Sequence, residues 1–375
     1  MNKYDLLNKY FGYKSFRDNQ EEIIDNIVDK KDVIAVLPTG GGKSIIFQIA
    51  GLLLEDKVII ITPLIALMKD QVNNLNSHGI SACYICSDNK KDIKNIYKYK
   101  FIYLTGEMFI NMKLNINISL IVVDEAHTLF WGYDFRYQLL NIGKKIKELK
   151  VKPIIAAFTA TLPKAKIKYI NNILNIKNPY INYNLPIKDN LTYITIKNHF
   201  MSNLLYILDK YERVIIYTVT IKTTEYLYNL LHKKYKIGIY HSKLNEKDKA
   251  LNQEYFSKGL YKVIVCTNAF GMGIDIRDIR AVVLYELPLT LNDLVQQLGR
   301  AGRDGAKCFG FIFYNKDLIK NLFYFIENNK YYQNKSKEVK KVIEFTLNKD
   351  KKKFIKKYYN TLSSEFENVP KNFKH

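Results

Sequence analysis

The sequence predicts an α/β protein of two lobes, each a parallel sheet flanked by helices, with a small C-terminal extension that is helical or disordered. Three observations carry this expectation. Short β-branched runs alternate with longer amphipathic stretches, the alternation breaks once and restarts, and a glycine-rich turn lies directly between a buried run and an apolar helix. A length of 375 residues suits two or three domains, ample for real cores.

The elements follow in chain order. Val33-Ile34-Ala35-Val36, Val58-Ile59-Ile60-Ile61, Ile121-Val122-Val123 and Ile154-Ile155-Ala156 are continuous apolar runs, as parallel strands covered on both faces require. Two prolines and several asparagines break the pattern between Asn178 and Pro186. Val214-Ile215-Ile216-Tyr217, Ile237-Gly238-Ile239-Tyr240, Val263-Ile264-Val265 and Ala281-Val282-Val283-Leu284 then repeat it. From residue 316 the chain is rich in Lys, Asn and Tyr, with helical spacing and no strand-like run. The expected division is residues 1–185, 186–315 and 316–375.

Composition narrows the function classes. The formal net charge is +22 and the isoelectric point about 9.5, and clustered Lys and Arg bind polyanions by releasing their counterions. A surplus of Lys, Asn, Ile and Tyr also fits an AT-rich genome, which raises the charge without a functional cause. Arg accounts for only seven of the 58 basic residues. Four of the seven, Arg17, Arg136, Arg300 and Arg303, fall within the motifs below, where a rigid guanidinium fork has a use that bare charge does not. Apolar runs end well short of the roughly 18 residues that span a bilayer, and the N-terminal stretch lacks a signal peptide's apolar core. No membrane partner and an intracellular location are therefore expected, with no choice between nucleus and cytoplasm. Four cysteines, at 83, 86, 266 and 308, are too few and scattered for a disulfide framework. Cys83 and Cys86 lack a second pair or a nearby His at ligand spacing, so they read as buried strand residues and no zinc is expected.

The strongest chemistry lies in Leu37-Pro38-Thr39-Gly40-Gly41-Gly42-Lys43-Ser44, between a buried strand and the apolar helix that begins at Ile45. This is the layout of a phosphate-binding loop. Glycines let backbone N–H groups close around phosphates, the helix N-terminus adds its dipole, Lys43 reaches the terminal phosphates and Ser44 offers an oxygen to Mg²⁺. Leu37 stands where the strict signature has glycine. ATP or a close relative is the expected ligand. Further on, Asp124-Glu125-Ala126-His127 ends a buried run in two adjacent carboxylates. Alone, such a pair is more often solvated loop; downstream of a phosphate loop it suits two tasks, Asp124 holding Mg²⁺ and Glu125 orienting or deprotonating the attacking water. Next comes Phe130-Trp131-Gly132-Tyr133-Asp134-Phe135-Arg136-Tyr137, which holds the only Trp. Exposed aromatics stack on unpaired bases for about 1–3 kcal/mol per base, and Arg136 can grip a phosphate; packing alone is the other explanation.

In order and wording these segments resemble the RecQ-type superfamily 2 helicases, over roughly residues 8–315. The resemblance implies RecA-like lobes, ATP and Mg²⁺ as cofactors, DNA (single-stranded and tailed duplex) as partner, and a monomer. It also implies 3′→5′ translocation with duplex unwinding in repair, recombination or replication. An RNA helicase, a translocase that does not unwind, and a scaffold without turnover are the alternatives. Position by position, Phe11-Gly12-Tyr13, Phe16-Arg17 and Gln20 look like the adenine-reading motif, in which Arg17 and Gln20 serve the base. Thr39, Gly40, Gly41, Gly42, Lys43 and Ser44 would hold the phosphates and Asp275 the ribose. Pro63, Lys69 and Gln71, with His241, look like contacts to the nucleic-acid backbone, although Ala66 replaces the family's serine. The loop with Phe130, Trp131, Tyr133, Phe135 and Arg136 is similar to the family's sensor of single-stranded DNA. It is about one residue shorter, lacks the usual Ser-Gln and has Tyr133 where His is typical, so altered coupling is expected. His127, Thr159 and Thr161 would relay between the carboxylates and the DNA side. Gln296-Gln297-Leu298-Gly299-Arg300-Ala301-Gly302-Arg303-Asp304-Gly305 resembles the arginine-finger motif, making Gln296, Arg300 and Arg303 catalytic candidates beside Lys43, Asp124 and Glu125. The family's zinc module, winged helix and small helical DNA-binding domain are not evident. What separates the strands is left open: the Lys-rich extension is expected to add phosphate contacts, and an accessory protein is a candidate for strand separation.

Overall fold

The computed structural model describes residues 1–361 except 64, 132–136, 271–275, 330, 331, 333 and 334, and leaves aside the side chains of residues 130, 131 and 137. It divides into two compact units, residues 1–185 with 357–375, and residues 186–356.

In the first unit, seven strands form one parallel sheet: β1 (Val33–Val36), β2 (Lys57–Ile61), β3 (Ala82–Ile85), β4 (Phe101–Leu104), β5 (Ile118–Val123), β6 (Ile154–Thr159) and β7 (Tyr180–Tyr183). Their order across the sheet is β3-β4-β2-β5-β6-β1-β7. Because side chains alternate across a strand, each apolar run feeds two cores. Ile34, Val36, Ile59, Ile61, Ile121 and Val123 enter the core on one face, while Val33, Ala35, Val58, Ile60, Leu120 and Val122 enter the other. Helices cover both faces, the arrangement parallel pairing demands.

The second unit holds six parallel strands: β8 (Leu191–Ile196), β9 (Val214–Tyr217), β10 (Ile237–Tyr240), β11 (Val263–Cys266), β12 (Ala281–Leu284) and β13 (Cys308–Phe313), in the order β10-β11-β9-β12-β13-β8. Val214, Ile216, Val263, Val265, Ala281 and Val283 anchor its core. The two-lobe α/β architecture expected from the sequence is thus present.

Two regions differ in detail from the expectation. The break at 178–186 contains a strand, β7, which pairs with β1 through Val33–Tyr180 to Val36–Tyr183 and forms the sheet edge. Beyond residue 316 come three helices, Lys316–Glu327, Ser336–Leu347 and Lys351–Asn360. Helix Ser336–Leu347 is tied to the edge strand β8. Phe345 meets Tyr193 edge-on at 5.8 Å between ring centroids, and the Thr195 hydroxyl donates to Thr346 O at 2.9 Å. In the first unit, the Tyr183 hydroxyl lies within hydrogen-bond reach of both Leu162 O and Tyr359 O. All four cysteines are buried and unpaired, and burial pushes the Cys83 thiol up to about 12.

Close packing of helix Ile142–Lys147 on helix Ile167–Leu174 depends on Gly143, where an added Cβ would sit 2.0 Å from Ile173 O. Gly143→Ala should destabilise the first unit by about 1–3 kcal/mol, the usual range for overpacking. A thermal melt checks this, and an unchanged Tm would contradict the packing.

Candidate nucleotide site and its surroundings

Parallel strands deliver their C-terminal ends to one edge of the sheet, and the motif segments of the first unit follow four neighbouring strands. The phosphate loop follows β1, Thr159-Ala160-Thr161 ends β6, Asp124–His127 follows β5, and Thr62–Gln71 follows β2. The register sets them level: Val36 lies opposite Thr159 and Val123 opposite Ala157.

The loop itself is braced from the N-terminal segment. Arg17 Nη1 donates to Gly40 O at 2.6 Å, and Gln20 Nε2 lies 3.2 Å from Gly41 O and 3.4 Å from Gly42 O. Gln20 Oε1 in turn accepts from Arg17 N at 2.9 Å. Gly42 has φ +72°, a left-handed conformation that favours glycine, and the Gln20 amide packs directly against it. With its carbonyls held in this way, the loop feeds into helix Lys43–Leu53, whose first N–H groups have no intrahelical partner. Thr39 precedes the glycines in the same turn. The structure therefore brings Arg17 and Gln20 to the loop. Gln20, expected to face the adenine, is buried with both ends of its amide already engaged.

Ser44 has a support that sequence reading missed. Gln71 Nε2 donates to Ser44 Oγ at 2.9 Å, the Tyr103 hydroxyl donates to Gln71 Oε1 at 2.8 Å, and Gln48 Nε2 donates to the Tyr103 hydroxyl at 3.1 Å. Tyr103 is fully buried. Gln71, expected on the nucleic-acid side, instead points to the nucleotide side. Its position on helix Ile65–Ser77 serves Ser44, while Lys69 on that helix is exposed and Pro63 half-buried. A polar triad of Gln48, Gln71 and Tyr103 carries no sequence signature, because its members lie 23 and 32 residues apart (71 − 48 and 103 − 71).

Asp124 is buried at the end of β5. Desolvation, with the neighbouring Glu125 charge, pushes its carboxyl well above the usual range, and Lys43 partly offsets this. Beside it Thr62 Oγ1 is buried without a hydrogen-bond partner among the described residues. A buried carboxylate that lacks enough positive charge, close to the Ser44 hydroxyl's helix, is a donor set suited to a hard cation such as Mg²⁺. Glu125 has φ +51°, a left-handed backbone that is uncommon for a side-chain-bearing residue. Such strain costs about 1–3 kcal/mol and collects at functional sites. Its Oε2 lies 3.3 Å from His127 Nδ1, which is 2.9 Å from Thr159 Oγ1, and Thr159 Oγ1 is bonded in turn to Thr161 O and N at 3.2 and 3.3 Å. Hydrogen bonds thus link His127, Thr159 and Thr161, with Glu125 Oε2 set 3.3 Å from the His127 ring.

In the second unit, Gln296 lies on helix Leu291–Leu298, and Arg300 and Arg303 follow it. Arg300 is buried and hydrogen-bonds Tyr217, whereas Arg303 is half-buried. His241 is also buried, with Nε2 3.7 Å from Glu225, so no open contact to a phosphate is displayed at its ring. Tyr133, Phe135, Arg136 and Asp275, and the side chains of Phe130 and Trp131, lie outside the described residues.

Comparison with known proteins places this geometry in context. Residues 17–170 match the DEAD/DEAH box helicase family and residues 197–305 the helicase conserved C-terminal domain. The chain is 35% identical to the ATP-dependent DNA helicase RecQ of Bacillus subtilis, covering 90% of this chain and 60% of that protein. It is 31% identical to RecQ of Synechocystis, covering 82% and 70%, and 36% identical to an Acanthamoeba polyphaga mimivirus protein named as an ATP-dependent RNA helicase, covering 96% and 70%. The chain thus spans 60% of the length of the Bacillus subtilis RecQ, less than two thirds, and 70% of the other two. Among solved structures, yeast Dbp5 bound to RNA and ADP BeF3 superposes with a TM-score of 0.70 at 23% identity, covering 92% of this chain and 97% of that one, which establishes the shared fold. Family membership implies use of ATP and Mg²⁺ and binding of nucleic acid.

Two outcomes are expected. Because the folded state favours the protonated Asp124, the charged form present at neutral pH weakens it, and stability falls as pH rises through that carboxyl's raised range. Asp124→Asn should therefore raise the Tm of the ligand-free protein, by about 2–4 °C per kcal/mol recovered, while abolishing Mg²⁺-dependent nucleotide binding; a lowered Tm would contradict the assignment. Gln71→Ala removes one hydrogen bond to Ser44, worth about 1 kcal/mol, so the Kd for Mg²⁺-nucleotide should rise about fivefold in a fluorescent-nucleotide titration, with Mg²⁺-free binding unchanged.

Proposed function

This chain belongs to the RecQ-type superfamily 2 helicases, and from that premise we propose that it is an ATP-dependent DNA helicase coupling hydrolysis to 3′→5′ movement on single-stranded DNA and to duplex unwinding. The observation that carries the reading is the bonded series His127–Thr159–Thr161 with Glu125 beside its His127 end, set at the same sheet edge as the phosphate loop.

The described geometry and the family membership together give each residue a task. Gly40, Gly41, Gly42 and Lys43 enclose the phosphates, with Arg17 and Gln20 fixing the loop's carbonyls. Ser44 and Asp124 would hold Mg²⁺, which when bound would neutralise phosphate charge. Glu125 orients the attacking water and accepts its proton at Oε2 or Oε1; the strained backbone fixes the direction of its side chain. His127 Nδ1, between Glu125 and Thr159, senses movement of the threonine segment and passes it to the carboxylate. Gln296, Arg300 and Arg303 stabilise charge on the transferring phosphoryl group, and Asp275 serves the ribose. Pro63, Lys69 and the aromatic segment with Phe130, Trp131, Tyr133, Phe135 and Arg136 serve the nucleic acid. The chain acts as an intracellular monomer on single-stranded and tailed duplex DNA, with its Lys-rich C-terminal helices adding phosphate contacts and an accessory protein aiding strand separation.

RNA is the second reading, favoured by the 36% identity to a relative named as an RNA helicase. The deciding experiment is strand displacement from DNA duplexes carrying a 3′ or a 5′ tail and from matched RNA duplexes, with Lys43→Ala as the blank. Unwinding of the 3′-tailed DNA alone, lost in the variant, is expected. Preference for the RNA duplex would replace the DNA reading, and DNA-stimulated hydrolysis without displacement would make the chain a translocase.

A further inference from the structure

The loop that carries Arg300 and Arg303 is held by side chains from outside the helicase motifs. Immediately after the boundary at residue 185/186, the segment leading into β8 places two long polar side chains against this loop. Lys188 Nζ donates to Gly299 O at 3.1 Å and to Ala301 O at 2.6 Å. Asn190 Nδ2 donates to Gly302 O and Ala306 O, both at 2.8 Å. The backbone of Asn190 contributes as well, since its carbonyl accepts from Cys308 N at 3.0 Å.

Four carbonyls within eight residues, on either side of both arginines, are therefore claimed by two side chains. The first two lie just beyond the end of helix Leu291–Leu298, whose last turn is closed by backbone bonds from Gly299 N, Arg300 N and Ala301 N and whose C-terminal end carries partial negative charge. An ammonium suits both carbonyls and that charge. Burial lowers the Lys188 ammonium to about 8, with Cys308 and Asp304 opposing the shift and Arg303 adding to it. Its hydration has thus been largely exchanged for these carbonyls. The far side of the loop is equally closed. Gly302 has φ +59°, and a Cβ there would meet Asn190 Nδ2 and Cys308 Sγ at 2.5 Å. Asp304 is ion-paired to Arg280, and Gly302 N donates to Ile279 O at 2.9 Å.

We propose that Lys188 and Asn190 are positioning residues for the arginine loop: they fix the backbone at Gly299, Ala301, Gly302 and Ala306 so that Arg300 and Arg303 project in one direction. Lys188 touches neither nucleotide nor nucleic acid in this role. The inference rests on the reading that these arginines stabilise the phosphoryl transition state, a term realised in turnover and not in ground-state binding.

The test uses the full chain with Lys188→Met, which keeps the apolar stem and removes the donors, Lys188→Arg, which restores them, and Arg303→Ala as the reference. Nucleic-acid-stimulated ATPase, nucleotide affinity, Tm and amide exchange over residues 299–306 are measured. Misplacement of a catalytic group by about 1 Å lowers turnover on the order of 100-fold, so Lys188→Met should lose roughly 10- to 100-fold in kcat. KM for ATP and the Kd for fluorescent ADP should stay within about threefold, exchange over 299–306 should quicken, and Lys188→Arg should recover most of the turnover. Wild-type kcat in Lys188→Met beside a crippled Arg303→Ala overturns the positioning role alone. Wild-type kcat in both variants overturns the underlying reading of the arginines. Parallel loss of kcat, nucleotide affinity and Tm, without recovery in Lys188→Arg, overturns it in favour of a general role in folding.

Discussion

Parallel pairing is the constraint on which the rest of this protein depends. Strands that run the same way must all finish at one edge, and helices that return the chain must cover both faces. In the first unit the consequence is chemical: β1, β6, β5 and β2 are neighbours, so the segments that follow them meet although they lie scattered between residues 37 and 161. The same rule makes the strands themselves chemically silent. Their side chains are spent on the two cores, and function is confined to the few residues after each strand ends.

At that edge the molecule tolerates conditions it avoids elsewhere. Asp124 is a carboxylate in a place that disfavours its charge, Glu125 holds a backbone conformation that suits glycine better, and Thr62 hides a hydroxyl without a partner among the described residues. The surrounding scaffold compensates through bonds that are numerous and local. Arg17 and Gln20 fasten the loop's carbonyls, Gln71 and the buried Tyr103 fasten Ser44, and Thr159 fastens His127. Stability is given up in the ligand-free state at the positions where a cation and phosphates would later supply the missing charges.

What was legible in the sequence had a periodic or a spaced signal. The central strands were visible as uninterrupted Val/Ile runs, and the phosphate loop and the carboxylate pair as fixed patterns. Strands β4, β7, β8 and β13 escaped because they are rich in Tyr, Phe, Asn and Thr; β7 and β8 lie at sheet edges, where half-burial permits such residues. Gln71 was legible as part of a motif but not in its direction, since a helix places residues two apart, such as Lys69 and Gln71, on different faces. Gln48, Tyr103, Lys188 and Asn190 were invisible for a different reason: each works through a backbone or side-chain partner distant in sequence, and a lone Gln, Tyr, Lys or Asn has no pattern to betray it. His241 shows the opposite failure, a polar residue within a motif whose ring the fold keeps inside.

The cysteines, set aside as core residues, have a practical consequence. Each thiol is enclosed and none is bonded to another, and in Cys83, Cys266 and Cys308 burial disfavours the reactive thiolate. The native protein is therefore chemically quiet toward maleimides and nitroxide reagents. A single reporter thiol introduced on an exposed helix position would stand alone against that background, so distances between chosen points could be followed spectroscopically through a catalytic cycle without first stripping the chain of its own sulfur.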